Sequence, residues 1–273
     1  MSEKLSYYEW IVNDVMPDDL FSFKDFDIQK FLAERNSFLK DYILDQTELE
    51  NELEMTIKTR EDISNWLESI TSPSSEQQNE YKQKKRQLEN LDKRIKWLTE
   101  LKPYFGKSYS QFLTSLCQQF NINIKIILAT LQKEQSLVVK PTQPPRKIMD
   151  RALGFGATDR GDLIYYYGFE IQNYKAIQDF KSDFDKYSQL DTQPMKFVDN
   201  GFLQITPANA FTSVLYEYTP WTGSPDSAYY PKWGVHGVYL FWKIWRWWWG
   251  DELKEFYHCL NGKKTLSTPL GQG

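Results

Sequence analysis

The stretch Leu131-Gln132-Lys133-Glu134-Gln135-Ser136-Leu137 places an acid at the end of an apolar run. Ile124, Ile127, Leu128 and Leu131 recur at i, i+3, i+4 and i+7, which predicts a helix over residues 124 to about 137 with one buried stripe. Asn121-Ile122-Asn123 precedes it as an N-terminal cap. Glu134 lies three residues past Leu131 and seven past Ile127, so it continues the stripe. Poor hydration and the negative end of the helix dipole each favour a protonated carboxyl at such a place. A carboxylic acid that keeps its proton is what glycosidic bond cleavage asks of its general acid. The competing reading is a buried glutamate that only pairs with an arginine such as Arg151.

Glycosidases usually deploy two carboxylates, and Asp150, Asp159 and Asp162 are the candidates for a second. Asp150 beside Arg151 also reads as an ion pair or loop cap, and Asp159 in a Gly/Thr loop as turn chemistry. Sugar sites set aromatic faces against pyranose rings. Tyr165, Tyr166 and Tyr167 follow the glycine-rich stretch, and Tyr216 and Tyr218 flank Glu217; each equally reads as core packing. Gln135, Ser136 and Gln172 supply polar contacts. Trp242, Trp245 and Trp249 fall on one helical face, a packing pattern, whereas Trp247 and Trp248 lie off it. With two histidines and two distant cysteines, Cys117 and Cys259, no metal cluster or nucleophile–base motif is visible, so no cofactor and no metal are expected.

Read in order, the motifs carry more. They are Gln132-Lys133-Glu134-Gln135-Ser136-Leu137, then Met149-Asp150-Arg151-Ala152-Leu153-Gly154-Phe155-Gly156-Ala157-Thr158-Asp159, then Tyr167-Gly168-Phe169. Ala208-Asn209-Ala210, Leu215-Tyr216-Glu217-Tyr218-Thr219-Pro220 and Phe241-Trp242 follow. This order resembles a family of bacterial cell-wall hydrolases with a lysozyme-like fold, distantly similar to goose-type lysozymes and soluble lytic transglycosylases. The resemblance covers residues 105–250 and, more faintly, 14–43. It implies a mainly α fold and cleavage of peptidoglycan between N-acetylmuramic acid and N-acetylglucosamine, by hydrolysis or by transglycosylation. It implies Glu134 as general acid and then base, assisted by the substrate's own N-acetyl group. It places Asp159 at the acidic end of the glycine-rich motif, and Tyr218 in the Tyr-Thr-Pro motif near the acid. Secreted members often carry a cysteine where this chain has Ala157.

Net charge of −4 offers no general basic field, so nucleic acid is not expected as a partner. The 16% aromatic content argues for a packed globule. No stretch reaches membrane-spanning length, and Met1-Ser2-Glu3-Lys4-Leu5 shows no apolar export signal. Synthesis in the cytoplasm, with action at the cell wall after release or delivery, is the corresponding expectation.

Four regions are expected. Residues 1–43 form the N-terminal part of the catalytic domain, with short helices at 7–13 and 27–43. Residues 44–103 turn abruptly to Glu, Lys, Gln and Leu without glycine up to Leu101, and two broken heptad patterns flank Thr71-Ser72-Pro73-Ser74-Ser75. That pattern predicts an antiparallel helical hairpin, or coiled coil. The resembling family lacks such a region, so it reads as an insertion separable from catalysis, either docking on a protein partner or assembly or acting as a spacer. Residues 104–262 are the lysozyme-like domain, with helices at 108–120, 168–187 and 207–218, and residues 263–273 a flexible tail. Gly154, Gly156 and Gly161 lie close enough together to suggest a backbone that approaches something closely. The rival functions are a non-catalytic glycan-binding or structural module, and a component of a phage tail or contractile injection apparatus.

Overall fold

A computed structural model describes residues 15–156, 163–223 and 234–264, with side chains up to residue 253. The expected helix at 7–13, Asp159, Asp162, His258, Cys259 and the tail from 265 lie outside the described residues or side chains. The molecule is mainly helical. In order come α1 (Ile28–Glu34), α2 (Gln46–Glu68), α3 (Gln78–Leu101), α4 (Tyr109–Gln119) and α5 (Ile124–Gln135). Then follow α6 (Arg146–Met149), α7 (Phe169–Ser188), the antiparallel strands β1 (Lys196–Val198) and β2 (Leu203–Ile205), α8 (Ala210–Tyr218) and α9 (Gly237–Lys264). Among the described residues no helix is long and apolar enough to cross a membrane.

The chain divides into two compact units, residues 1–24, 121–133 and 179–273, and residues 25–120 and 134–178. Two of the boundaries fall inside α5 and α7, one precedes α1 and one separates α4 from α5. In the first unit every residue of α5 from Ile126 to Leu131 is buried. This stretch of the helix is therefore buried on every side, a core element rather than the single-striped helix its spacing predicts. Phe21 stacks on Phe184 at 3.7 Å, and Trp242 and Trp245 are fully buried while Trp247 is 72% exposed, as their helical spacing requires. The strand pair has no counterpart in the sequence reading. It turns through Asp199, Asn200 and Gly201, at φ of 53°, 57° and 82°. The Asp199 carboxylate holds that turn by accepting from Thr222 N at 2.8 Å and Thr222 Oγ1 at 2.6 Å. α8 begins at Ala210, three residues later than expected at 207, because Asn209 Oδ1 accepts from Thr212 N at 2.8 Å.

In the second unit the helix expected at 27–43 stops at Glu34. Asn36 takes a left-handed φ of 48°, and Ser37 caps a separate 3-10 turn, Phe38–Lys40. α4 starts on a capping box between Ser108 and Gln111, and Tyr109 buries its ring while donating to Asn173 Oδ1 at 3.0 Å. Along α2 and α3, Glu52 pairs with Arg94, Arg60 with Asp92 at 2.9 Å, and Trp66 packs against Tyr81. Partner numbers fall on α3 as they rise on α2, so the two helices run in opposite directions. Thr56, which reads in sequence as a break in the heptad rhythm, is buried with its Oγ1 donating to Glu52 O at 2.7 Å.

The α2–α3 pair is tied into its unit at the base. Leu98 and Leu101 are fully buried, and Trp97 lies against Tyr166 with ring centroids 5.3 Å apart. Cutting the pair away, the operation that the compositional break suggests, exposes this apolar surface. A Gly/Ser linker in place of residues 44–101 is therefore expected to lower the thermal midpoint markedly, read by calorimetry. An unchanged midpoint would show that the pair is a free-standing appendage.

Candidate active site

The sealed run of α5 ends at Leu131, and Gln132, Lys133, Glu134 and Gln135 are half-buried. Glu134 is therefore not enclosed as the stripe argument anticipates; it sits where the helix emerges from the core. Ser136, exposed at φ 54°, ends the helix, and the buried Leu137 and Val138 pin the chain that follows. The last turn is thus held on both sides, and Glu134 with it.

Opposite the carboxylate lies the glycine-rich stretch. A Cβ built on Gly154 would sit 3.6 Å from Glu134 Oε2, and Gly154 has the left-handed φ of +76°. The backbone approaches the carboxylate here with no side chain between. A Cβ on Gly156, at φ +79°, would meet Leu163 O at 2.8 Å and Tyr166 Cδ2 at 2.9 Å. That position accepts glycine alone, because Gly156 O also accepts from Leu163 N at 2.8 Å. The close approach that the glycine spacing suggests thus has two specific causes, the acid at Gly154 and the returning chain at Gly156.

One side chain fixes this wall. Gln172 is fully buried; its Oε1 accepts from Leu153 N at 3.1 Å and Phe155 N at 3.2 Å. Its Nε2 donates to Phe155 O at 3.0 Å and Tyr166 O at 2.8 Å. The carboxamide is fully engaged, so Gln172 positions the wall and has no polar valence left for substrate, a correction to its reading as a contact. Beyond it, Arg94 Nη1 donates to Tyr165 O at 3.0 Å and Tyr167 O at 2.9 Å, while Nη2 pairs with Glu52. Tyr167 is half-buried.

The remaining expected contacts divide between the units. Gln135 and Ser136 adjoin Glu134 in sequence, half-buried and exposed respectively. Tyr216, in the first unit, is 1% exposed and belongs to the core, which overturns its reading as a sugar contact. Tyr218, in the same unit, packs its ring on Phe180 at 4.9 Å, with Lys133 Nζ 5.0 Å from the ring centre on its way to Thr219 Oγ1. Asp150 pairs with Arg146 at 3.7 Å, and burial pushes its carboxyl above the usual range against the pull of Arg146 and Arg94. The Cys117 thiol is fully buried and pushed up by that burial, which keeps it protonated and without nucleophilic character.

Sequence reasoning passed over Glu170, a buried acid at the start of α7 that accepts from Tyr42 Oη at 2.7 Å. Burial raises its carboxyl; the bond from Tyr42 opposes that in part. A raised folded-state value means that the native protein keeps this proton where the unfolded chain has lost it. Stability from this group is therefore greatest at acid pH and declines as pH climbs above the ordinary carboxyl value of 4.5 through the folded value. Glu170→Gln keeps an acceptor for Tyr42 and removes the ionisation. Its thermal midpoint should gain on wild type as pH rises from about 4 to 8; a pH-independent difference would count against a burial penalty.

Comparison with family models, with curated protein sequences and with solved structures finds no match to this chain. The functional reading rests on its own residues. Among the described residues no group of three or more histidine, cysteine, aspartate or glutamate side chains converges to hold a metal ion.

Proposed function

We propose that this chain cleaves the glycan strand of peptidoglycan between N-acetylmuramic acid and N-acetylglucosamine, with Glu134 as the proton-transfer group. The observation that supports this most is the setting of that carboxylate, half-buried at a pinned helix end and facing the bare backbone of Gly154. In this scheme Glu134 donates its proton to the bridging oxygen as the glycosidic bond breaks, and the substrate's N-acetyl oxygen stabilises the electron-poor sugar carbon. The carboxylate then takes a proton from water, giving a reducing end, or from the sugar's own hydroxyl, giving an anhydro end. Gln135, Ser136 and Tyr167 contribute polar and ring contacts beside it, and Gln172 and Arg94 hold the wall.

On this reading the helices around Glu134 form a lysozyme-like core, and α2–α3 is an inserted antiparallel hairpin. The enzyme reaches the cell wall by release or by delivery, for which a phage tail or contractile injection apparatus is one vehicle. Purified cell walls, a turbidity readout and mass spectrometry of the fragments test the proposal. Muramoyl reducing ends or anhydro ends would support hydrolysis or transglycosylation respectively, and the rate should survive EDTA. Intact walls would leave a binding or structural module as the better reading.

A further inference from the structure

Within the second unit, α2, α3 and the 164–167 segment enclose a cavity of about 1260 Å³. It is larger than the roughly 300–1,000 Å³ of a small-molecule site. We propose that it is a saccharide-binding groove that holds an extended, uncharged glycan chain beyond the immediate surroundings of Glu134. The proposal rests on the glycan reading above and assigns a role to the two helices that the motif-bearing residues do not.

The lining decides the ligand class. Gln83, Gln87 and Asn90 recur at i, i+4 and i+7 on α3, facing the groove together with Asn51 of α2. None of these four carboxamides has a hydrogen-bond partner among the described residues. Each offers a donor pair and an acceptor on one planar group, the complement of neighbouring sugar hydroxyls, which both donate and accept. Tyr165 and Tyr167 line one side of the groove. That segment is held in advance: Arg94 takes the Tyr165 and Tyr167 carbonyls, and Tyr166 lies 4.5 Å from the Tyr165 ring. Preorganisation of this kind lowers the ordering cost of binding.

Charge argues against the other ligand classes. Arg94 is paired with Glu52, and Arg146 with Glu48 and Asp150. Among the described residues Arg86 is the one lining arginine without a carboxylate partner, whereas a phosphate or nucleic acid would need several cations unengaged. A docked amphipathic helix would need a continuous apolar stripe, whereas Met55, Leu91 and Ile164 come singly from three segments with Asn51, Gln87 and Asn90 among them.

The test uses the full chain carrying Glu134→Gln, so that binding is read without turnover, and N-acetylglucosamine hexamer as the probe in titration calorimetry. Adding Tyr165→Ala, or the pair Gln87→Ala and Asn90→Ala, should weaken hexamer binding by about tenfold or more. The helix-surface pair keeps the test decisive should the tyrosine variant fail to fold. Affinities equal to the parent, no hexamer binding by the parent, or saturable association with a protein helix at the groove in place of sugar would each overturn the proposal. The two readings fail separately. Loss of wall cleavage in Glu134→Gln with unaltered groove variants would remove only the groove; retained cleavage in Glu134→Gln would remove only the assignment of the acid.

Discussion

Glu134→Gln should abolish wall cleavage while the protein folds as before. The amide is the same size, the side chain is half-buried, and the neighbouring Gly154 backbone leaves room for it. What is lost is the transferable proton, and positioned acid–base groups typically contribute about 10²–10⁴-fold to a rate. A drop of about a hundredfold or more in the initial rate is therefore expected, with an unchanged circular-dichroism spectrum and melting curve. A rate within a few-fold of wild type would dismiss Glu134 as the acid, whatever its surroundings.

Gln172→Leu should have the largest effect on stability. Leucine fits the volume approximately, yet it strips the partners from two N–H groups and two carbonyl acceptor sites of Leu153, Phe155 and Tyr166. An unsatisfied buried polar group costs roughly 1–3 kcal/mol, so a loss of about 3 kcal/mol or more is expected even after some groups find water. Chemical denaturation reads this directly. Because the residue sets the wall opposite Glu134, activity should fall at temperatures where the variant is still folded. Gln172→Glu separates the two effects. It keeps both acceptor bonds and loses both donors when ionised, so it should be intermediate in stability. A Leu variant as stable as wild type would mean that these bonds are readily exchanged for water.

The elements that read correctly from sequence are those whose cause is local. The start of α4 at Ser108 and the opening of α5 after Asn123 follow from caps and apolar spacing within a few residues. The special role of Gly154 and Gly156 was likewise visible, since only a backbone constraint explains such spacing. The misreadings have longer range. Gln172 is a wall fastener because of bonds reaching 17 to 19 residues back along the chain, and no local pattern separates that from a surface amide. Tyr216 matches a motif, yet tertiary packing buries it. The helix expected at 27–43 failed at Asn36, which supplied a left-handed stop where the apolar rhythm suggested continuation. Periodicity also misjudged α5, since a helix enclosed on every side has no preferred face for an acid to extend.

The hydrogen bond between Leu163 N and Gly156 O, together with the reach of Gln172 to both flanks, clamps the two ends of a short segment independently of what lies between them. Closing a longer loop across fixed ends adds only about 0.6 kcal/mol for each doubling of its length. Gly156 and Leu163 are thus held by bonds of their own, and a change of chain length between them should leave those bonds in place. Sequence changes confined to that stretch should therefore preserve the setting of Glu134 opposite Gly154, an entry point for redesign.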